Sequence, residues 1–235
     1  MPNATRLRPV QDTLRAWGYI VTTQGGWVTA AGHGAVHRWH GWRAIPDLFA
    51  LAWQGGFDGA ANPNPGPAAW GGWLDTPLGD PAWSGHGALG HTTNNVAEWQ
   101  GLIHVLTAAQ PFQVRNLQIR GDSQLVIRQF TGEYAVKHPH LHRLADRAHR
   151  MARQMIVTVQ WVPREQNQRA DALSQVDLAV PHITFDAAAL DPLGSDRFVA
   201  HGTHDYVVDL AQRTCTCPAF QFRRGLCKHL QAAGA

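Results

Sequence analysis

The chain has 235 residues, of which 44% are hydrophobic and 16% charged, so it can bury a core and is not a disordered chain. The formal charge of +3 and the pI near 9.0 exclude a strongly acidic protein and weakly favour a polyanionic partner. No segment suits a signal peptide or reaches the roughly 18 apolar residues of a membrane span, so we expect a cytoplasmic protein without a membrane partner.

The residue composition and pattern divide the chain into four parts. Residues 1–47 predict an N-terminal extension, a short helix followed by a hairpin with a glycine-rich turn. Residues 48–178 alternate strand-like and helix-like stretches. A linker-like stretch at 179–196 leads to a small C-terminal module at 197–235, in which two short strands precede three cysteines.

The middle region predicts a mixed sheet with helices on its faces. In chain order, the apolar patterns predict strands at 48–58, 68–75 and 86–91, a helix at 93–109, a strand at 116–122, helices starting near Ser123 and spanning about 139–155, a strand at 157–163 and a last helix at 166–179. Three hairpin-like strands followed by strands that alternate with helices favour an α/β fold of this kind.

Four acidic residues fall where such a sheet can bring them together. They are Asp58 on the first strand, Glu98 in the first helix, Asp122 at the end of the fourth strand and Asp171 in the last helix. Carboxylates that cluster without cations repel one another and resist ionisation, and an unpaired charge inside a sheet is costly. A pair of hard divalent ions would remove this conflict, so the pattern predicts a metal centre.

The motifs around these acids resemble those of type 1 ribonuclease H. They read "DGAANPNPGPAAWGGWL", "TTNNVAEWQGL", "IRGDSQLVIRQFTGEY" and "WVPREQNQRADAL", in that order, within about residues 48–175. The resemblance implies a ribonuclease H-like α/β fold, with a mixed five-stranded sheet flanked by helices. It also implies a metal-dependent endoribonuclease that hydrolyses the RNA strand of RNA/DNA hybrids.

The same resemblance implies a role for each acid in a two-metal-ion mechanism with Mg²⁺ or Mn²⁺. Asp58 would bridge both ions. Asp171 would help to hold the ion that activates water, whereas Glu98 and Asp122 would hold the ion that stabilises the leaving oxygen. The alternative is a catalytically silent nucleic-acid-binding or scaffold protein that keeps the acids for structure.

Substrate contacts are also implied by the resemblance. Asn94, Asn95 and Gln124 match positions that meet the minor groove of the hybrid, and Asn64 and Thr93 match a pocket for a phosphate of the DNA strand. Amide side chains can both donate to and accept from the 2′-hydroxyls of an RNA minor groove. A plainer interpretation stays open, since an Asn-Asn pair before a helix is often only a cap.

The chain departs from the family pattern in two places. No basic insert follows the second helix, and the loop before Asp171 lacks the His that some members carry there. Arg164 and Glu165 are both candidates to replace that His, and the sequence favours neither. An arginine stripe on the helix at 139–155 either tracks phosphates or is a solvated face, and its members are Arg143, Arg147, Arg150 and Arg153.

The three cysteines all lie near the C-terminus, in the pattern "CTCPAFQFRRGLCKH". Cys215, Cys217 and Cys227 with His229 supply three thiolates and one imidazole, which fits one closed, tetrahedral, structural zinc ion. The stretch resembles a SWIM zinc finger, which implies a nucleic-acid or protein partner for this module. An odd number of cysteines argues against a disulfide framework.

Residues 35–43, "AVHRWHGWR", interleave aromatic and basic side chains. Two interpretations stay open at this point. Aromatic rings among cations can stack nucleic-acid bases, and they can equally form an apolar cover for the sheet.

Overall fold

The computed structural model describes residues 4–48, 50–178, 190–194, 196–201, 204–212, 214–217, 229 and 233. The chain separates into two compact units, at residues 1–180 and 181–235. Among the described helices, none combines the length and the apolarity needed to cross a membrane.

The N-terminal extension contains one strand more than the predicted hairpin. Helix α1 (Ala4–Ala16) is followed by β1 (Ile20–Gln24), β2 (Trp27–Gly32) and β3 (Ala35–His40), which form an antiparallel sheet in the order β1-β2-β3. The third strand was missed because its alternation of exposed and half-buried residues is carried by His, Arg and Trp rather than by aliphatic residues.

The main sheet has five strands in the order β6-β5-β4-β7-β8. Its strands are β4 (Trp53–Ala61), β5 (Gly66–Asp75), β6 (Pro81–Thr92), β7 (Asn116–Gly121) and β8 (Ile156–Trp161). The first three are antiparallel, whereas β7 pairs in parallel with β4 and with β8. This is the mixed five-stranded sheet expected from the sequence.

Four helices accompany the main sheet: α2 (Asn94–Ala109), α3 (Gln124–Phe130), α4 (Pro139–Ala152) and α5 (Gln168–Leu178). The Thr93 hydroxyl caps α2 by accepting from the N–H of Val96, and Ser123 caps α3 in the same way. The arginines of the stripe on α4 and just beyond it are exposed, while its Leu141 and Leu144 are buried. The predicted amphipathic character of this helix is therefore correct.

The first predicted strand was placed too early. The strand begins at Trp53 and continues three residues beyond Asp58, whereas residues 48 and 50–52 form no strand. Leu48 is buried and Leu51 packs against the hydrophobic core, so the apolar run reflects burial rather than strand structure. Strand β6 is longer than predicted, because a continuous strand pairs with β5 from Pro81 onwards.

The extension and the main sheet share one hydrophobic core. Trp17 at the end of α1 lies edge-on to Trp53, with ring centroids 5.8 Å apart. Tyr19 and Val28 belong to the same buried cluster as Leu102 of α2. The buried side chains of the two segments belong to one cluster, and the domain boundary at residue 47 stays a prediction.

The second unit contains four short strands among its described residues, where two were predicted. They are β9 (Leu190–Pro192), β10 (Arg197–Ala200), β11 (Tyr206–Asp209) and β12 (Thr214–Cys215), in the antiparallel order β12-β11-β10-β9. The predicted linker at 179–196 thus contains a strand. Ala200, Val208, Cys215 and Cys217 form its small buried core.

Candidate active site

Three of the four predicted acids lie together beside the centre of the main sheet. Asp58 is on β4 opposite Gly71 of β5, Glu98 is near the start of α2, and Asp122 follows the last residue of β7. One carboxylate oxygen from each lies within 4.8 Å of the others. Asp58 and Glu98 are only 3% and 4% exposed, so the cluster is withdrawn from bulk water.

Glycines bring the helices that carry this cluster close to the sheet. A Cβ atom at Gly59 would collide with the backbone nitrogen of Glu98, so only a glycine lets α2 approach β4 at this point. On α2 itself, a Cβ at Gly101 would lie 2.7 Å from the carbonyl oxygen of Asp58. Gly59 and Gly101 therefore allow α2 to pack close to β4, which places Glu98 next to Asp58.

The electrostatics of the cluster call for a cation. Burial raises the pKa of Asp58 to about 6; a hydrogen bond from Ser174 opposes the rise and the charge of Asp122 adds to it. Burial and then the charges of Asp58 and Asp122 raise the pKa of Glu98 well above its usual range. The Oε2 atom of Glu98 is buried without a hydrogen-bond partner. A bound divalent ion would reverse this situation by favouring the ionised carboxylates.

The fourth predicted acid, Asp171, lies nearby in the first turn of α5 and is not part of the tight group of three. Its charge contributes to the raised pKa of Asp58. Its Oδ1 accepts a hydrogen bond from the Nη2 of Arg164, which belongs to the loop before the helix. Of the two residues considered for that loop, Arg164 is therefore the one that contacts an acid.

Two buried polar residues that sequence reasoning missed hold the acids in place. The Ser174 hydroxyl donates to Oδ2 of Asp58, and Ser174 is fully buried. The amide nitrogen of Asn167 donates to the carbonyl of Phe57 over 2.9 Å and to Oδ1 of Asp122 over 3.0 Å. Nothing in the sequence singles out either residue, since Asn is ordinary just before a helix and a lone Ser within a helix carries no signal of its own.

The predicted substrate-binding residues gather at the ends of β4, α2 and α3. Oδ1 of Asn64 accepts from the backbone N–H of Asn94 over 3.0 Å, and Oδ1 of Asn94 accepts from the N–H of Ala61 over 3.1 Å. These bonds hold both amides in place through their carbonyl oxygens. Asn95 and Gln124 are exposed near the beginnings of α2 and α3.

The second unit brings together three of the four predicted zinc ligands. Ligand atoms of Cys215, Cys217 and His229 lie within 4.8 Å of one another, and all three residues are buried. The Sγ of Cys215 is 3.6 Å from the Nδ1 of His229. A tetrahedral zinc ion with ordinary bond lengths holds such atoms roughly 3.6 Å apart. The fourth predicted ligand, Cys227, lies outside the described residues.

The mixed sheet with an acidic centre beside β4 defines a protein of the ribonuclease H-like class. The sequence matches the reverse transcriptase-like family over residues 56–176 and the SWIM zinc finger over residues 206–233. The chain therefore belongs to this reverse transcriptase-like family, and its relatives place it with the type 1 ribonucleases H. The family resemblance and the fold class inferred from the sequence are confirmed.

Similarity to individual proteins covers about half of the chain. It is 42% identical over 123 residues to ribonuclease HI of Halobacterium salinarum, which covers 50% of this chain and 60% of that protein. The crystal structure of RNase H1 from H. salinarum NRC-1 matches with 40% identity and a TM-score of 0.52, over 55% of this chain and 98% of that one. LC11-RNase H1, solved in complex with an RNA/DNA hybrid, matches with 32% identity and a TM-score of 0.51, over 55% of this chain and 99% of that one. The chain spans less than two thirds of the length of the first curated relatives it matches.

Proposed function

We propose that this protein is an endoribonuclease that hydrolyses the RNA strand of RNA/DNA hybrids with the help of divalent metal ions. The observation that carries the proposal is the group formed by Asp58, Glu98 and Asp122, three carboxylates held within 4.8 Å of one another. The name of the H. salinarum relative and the hybrid in the LC11-RNase H1 complex support the same substrate class.

The donor set fits the metals proposed from the sequence. Carboxylate oxygens are hard ligands suited to Mg²⁺ or Mn²⁺, and an unpartnered buried oxygen on Glu98 is available to such an ion. We propose that Asp58, Glu98, Asp122 and Asp171 together hold two ions. When bound, a metal pair of this kind supplies an activated water and neutralises charge on the leaving oxygen.

The protein's own residues orient the carboxylates for that role. Ser174 donates to Oδ2 of Asp58 and so holds this carboxylate in place beside Glu98 and Asp122. Asn167 ties Asp122 to the backbone of β4. Because these donors are buried and fixed, the acids are organised before any ligand arrives, which lowers the cost of binding and reaction.

Recognition of the hybrid is proposed to use the amides at the helix starts. Since the carbonyl oxygens of Asn64 and Asn94 already accept backbone hydrogen bonds, their amide nitrogens are the groups that can donate to a substrate. Those donors suit phosphate oxygens and the 2′-hydroxyls of the RNA minor groove. We propose that Asn95 and Gln124 contact the minor groove and that Thr93 lines the phosphate pocket with Asn64.

The second unit is proposed to bind one structural zinc ion through Cys215, Cys217, Cys227 and His229. The spacing of the three described ligands supports this assignment. A closed set of four protein ligands leaves no open position, so the ion would stabilise the fold rather than take part in catalysis. A reduced cysteine set of this kind also favours a cytoplasmic location.

A cleavage assay tests the proposed function directly. The full-length protein is incubated with Mg²⁺ and one end-labelled sequence prepared as an RNA/DNA hybrid, as duplex RNA and as duplex DNA. We expect cleavage of the RNA strand of the hybrid, products with 5′ phosphates, and no cleavage of the DNA duplex. Binding of the hybrid without cleavage, with Mg²⁺ and also with Mn²⁺, would instead identify a catalytically silent nucleic-acid-binding protein.

A further inference from the structure

The three-stranded sheet of the N-terminal extension has two faces of opposite character. On one face Val21, Val28 and Ala30 are 8%, 3% and 0% exposed and belong to the main hydrophobic core. Trp39 is half-buried and packs against the same core. This face therefore forms an apolar cover over the main core.

The opposite face presents an exposed aromatic ring beside two basic side chains. Trp27 is 40% exposed, and its neighbour across β3 in the sheet register is His40. The Arg38 guanidinium lies 5.0 Å from the Trp27 ring centroid, and the His40 ring stands edge-on to it at 5.0 Å. We call Trp27, Arg38 and His40 the Trp27 face.

The segment that forms the N-terminal sheet carries positive charge and no carboxylate of its own. Residues 13–46 contain no Asp or Glu, yet they contain Arg15, Arg38 and Arg43. Of these arginines, Arg43 lies 5.5 Å from the ring centroid of the adjacent Trp42. A surface with cations, exposed indole and no carboxylate of its own is complementary to a polyanion that carries flat rings.

We propose that the Trp27 face binds single-stranded nucleic acid. A base would stack on the indole of Trp27, and Arg38 would contact the adjacent phosphate. Bases of a duplex are already stacked on one another, whereas every unpaired base offers a free ring face, so this chemistry selects single strands. The choice of nucleic acid over other polyanions rests on the proposed function.

This surface is separate from the acidic centre. The extension packs against the start of β4, where Trp17 meets Trp53. Asp58 lies five residues further along that strand, about 17 Å away at the rise of an extended chain. A single-stranded nucleic acid on the Trp27 face therefore contacts residues other than those of the acidic centre.

Binding can be measured without cleavage. The full-length protein, with its zinc bound and without added Mg²⁺, is titrated into fluorescein-labelled oligo(dT) of 15 nucleotides at several salt concentrations, and fluorescence anisotropy gives the dissociation constant. The variants are Trp27→Leu, Trp27→Phe and Arg38→Ala. Arg15→Ala is the matched control, because it removes an arginine of the same extension that pairs with Asp12 over 3.4 Å.

We expect each contact to leave a distinct signature. Trp27→Leu should weaken binding about tenfold without changing the salt dependence, since it removes stacking alone, and Trp27→Phe should restore most of the affinity. Arg38→Ala should lower the slope of log affinity against log salt by roughly 0.7, the value for one phosphate contact on a single strand. Arg15→Ala should change neither quantity.

Three results would overturn the proposal. The first is oligo(dT) affinity that is unchanged in both Trp27→Leu and Arg38→Ala. The second is an equal loss in Arg15→Ala, which would indicate diffuse charge attraction. The third is a wild-type dimer, seen by light scattering, that Trp27→Leu dissociates, which would assign the face to a second copy. Cleavage of a blunt hybrid is scored separately, so failure of the nuclease proposal and failure of this one are distinguishable.

Discussion

Arg164 donates a hydrogen bond to the carboxylate of Asp171, seven residues further along the chain, at the edge of the acidic cluster. The Arg164 side chain is 66% exposed, whereas that of Asp171 is 27% exposed. An ion pair this exposed contributes little to stability, in the range of about 0–1 kcal/mol. We therefore expect the Arg164–Asp171 ion pair to orient Asp171 and to contribute little to the free energy of unfolding.

Replacing Arg164 tests that expectation. Arg164→Ala should lower kcat for hybrid cleavage by roughly 10- to 100-fold, because Asp171 loses the neighbour that orients it, a cost typical for the outer partners of metal ligands. The melting temperature should stay close to that of the wild type. Arg15→Ala, which removes an exposed arginine that pairs with Asp12 outside the cluster, is the control. An unchanged or higher kcat would mean that Arg164 does not orient Asp171 and that its guanidinium only occupies the position of a metal ion beside this carboxylate.

Asp58 is the acid on which the metal proposal depends most. Asp58→Asn keeps the shape of the side chain and removes its charge, so we expect a loss of at least ~10²-fold in kcat, as for removal of one fixed electrostatic stabiliser. Asp177→Asn is the matched control, since Asp177 lies on α5 and pairs with His86 over 2.7 Å outside the cluster. Near-normal cleavage by Asp58→Asn would refute the two-metal assignment.

Ser174 provides a test of how the cluster is organised. Ser174→Ala removes the hydroxyl that donates to Asp58 and introduces no bulk, so the fold should persist. We expect activity to fall roughly 10- to 100-fold at limiting Mg²⁺, because Asp58 is no longer held in its binding orientation. Activity is measured as a function of Mg²⁺ concentration, and the half-saturating concentration should rise. A lower melting temperature with unchanged metal dependence would assign Ser174 a packing role alone.

A buried polar network fastens the N-terminal extension to the turn between β5 and β6. The Tyr19 hydroxyl donates to Oδ2 of Asp80 and lies 2.9 Å from the Thr76 hydroxyl, and His37 contacts the same carboxylate oxygen at 2.6 Å. Burial and then the hydrogen bond to Asp80 raise the pKa of Tyr19, so the hydroxyl stays protonated and remains a donor.

Tyr19→Phe should destabilise the first unit by about 1–3 kcal/mol, because a buried carboxylate loses one of its donors. Chemical denaturation followed by circular dichroism measures the change. Tyr134→Phe is the control: Tyr134 is 45% exposed and its hydroxyl meets Arg128 at the surface. Equal stability of the two variants would show that the network does not contribute to the attachment of the extension.

The zinc proposal predicts that one metal ion supports the second unit. Cys217→Ser should abolish the bound zinc and unfold residues 181–235 locally, since a unit of this size relies on metal binding for its folding free energy. Zinc content per chain and limited proteolysis report the two effects. His201→Ala, which removes an exposed histidine paired with Asp205 and Asp191, should retain the metal. Loss of zinc from both variants would contradict the assigned ligands.

The acids and the elements that carry them could be predicted because their signals are local. Alternating apolar residues identify β7 and β8, and cap residues such as Thr93 and Ser123 mark helix starts within three residues of the bonds they make. The missed strand β3 had no such signal, since its inward face uses His37 and Trp39 against a core that the sequence does not reveal.

Ser174 and Asn167 could not be found from the sequence, because their partners are distant along the chain. Ser174 is 116 residues from Asp58, and Asn167 is 110 residues from Phe57. An Asn just before a helix and a Ser within one are ordinary in any sequence, and only the burial of these two residues against an acid makes them significant. Such pairings depend on how closely α5 approaches β4 and β5.

The sequence by itself determined the family, the order of the main strands and helices, the four acids and the cysteine pattern, because each depends on residue type at short spacing. The tertiary structure alone decided which donors orient the acids, that Arg164 rather than Glu165 contacts Asp171, and that the N-terminal sheet buries one face and exposes Trp27 on the other. These outcomes follow from the packing of segments far apart in the chain, where burial and distance assign a role that residue type leaves open.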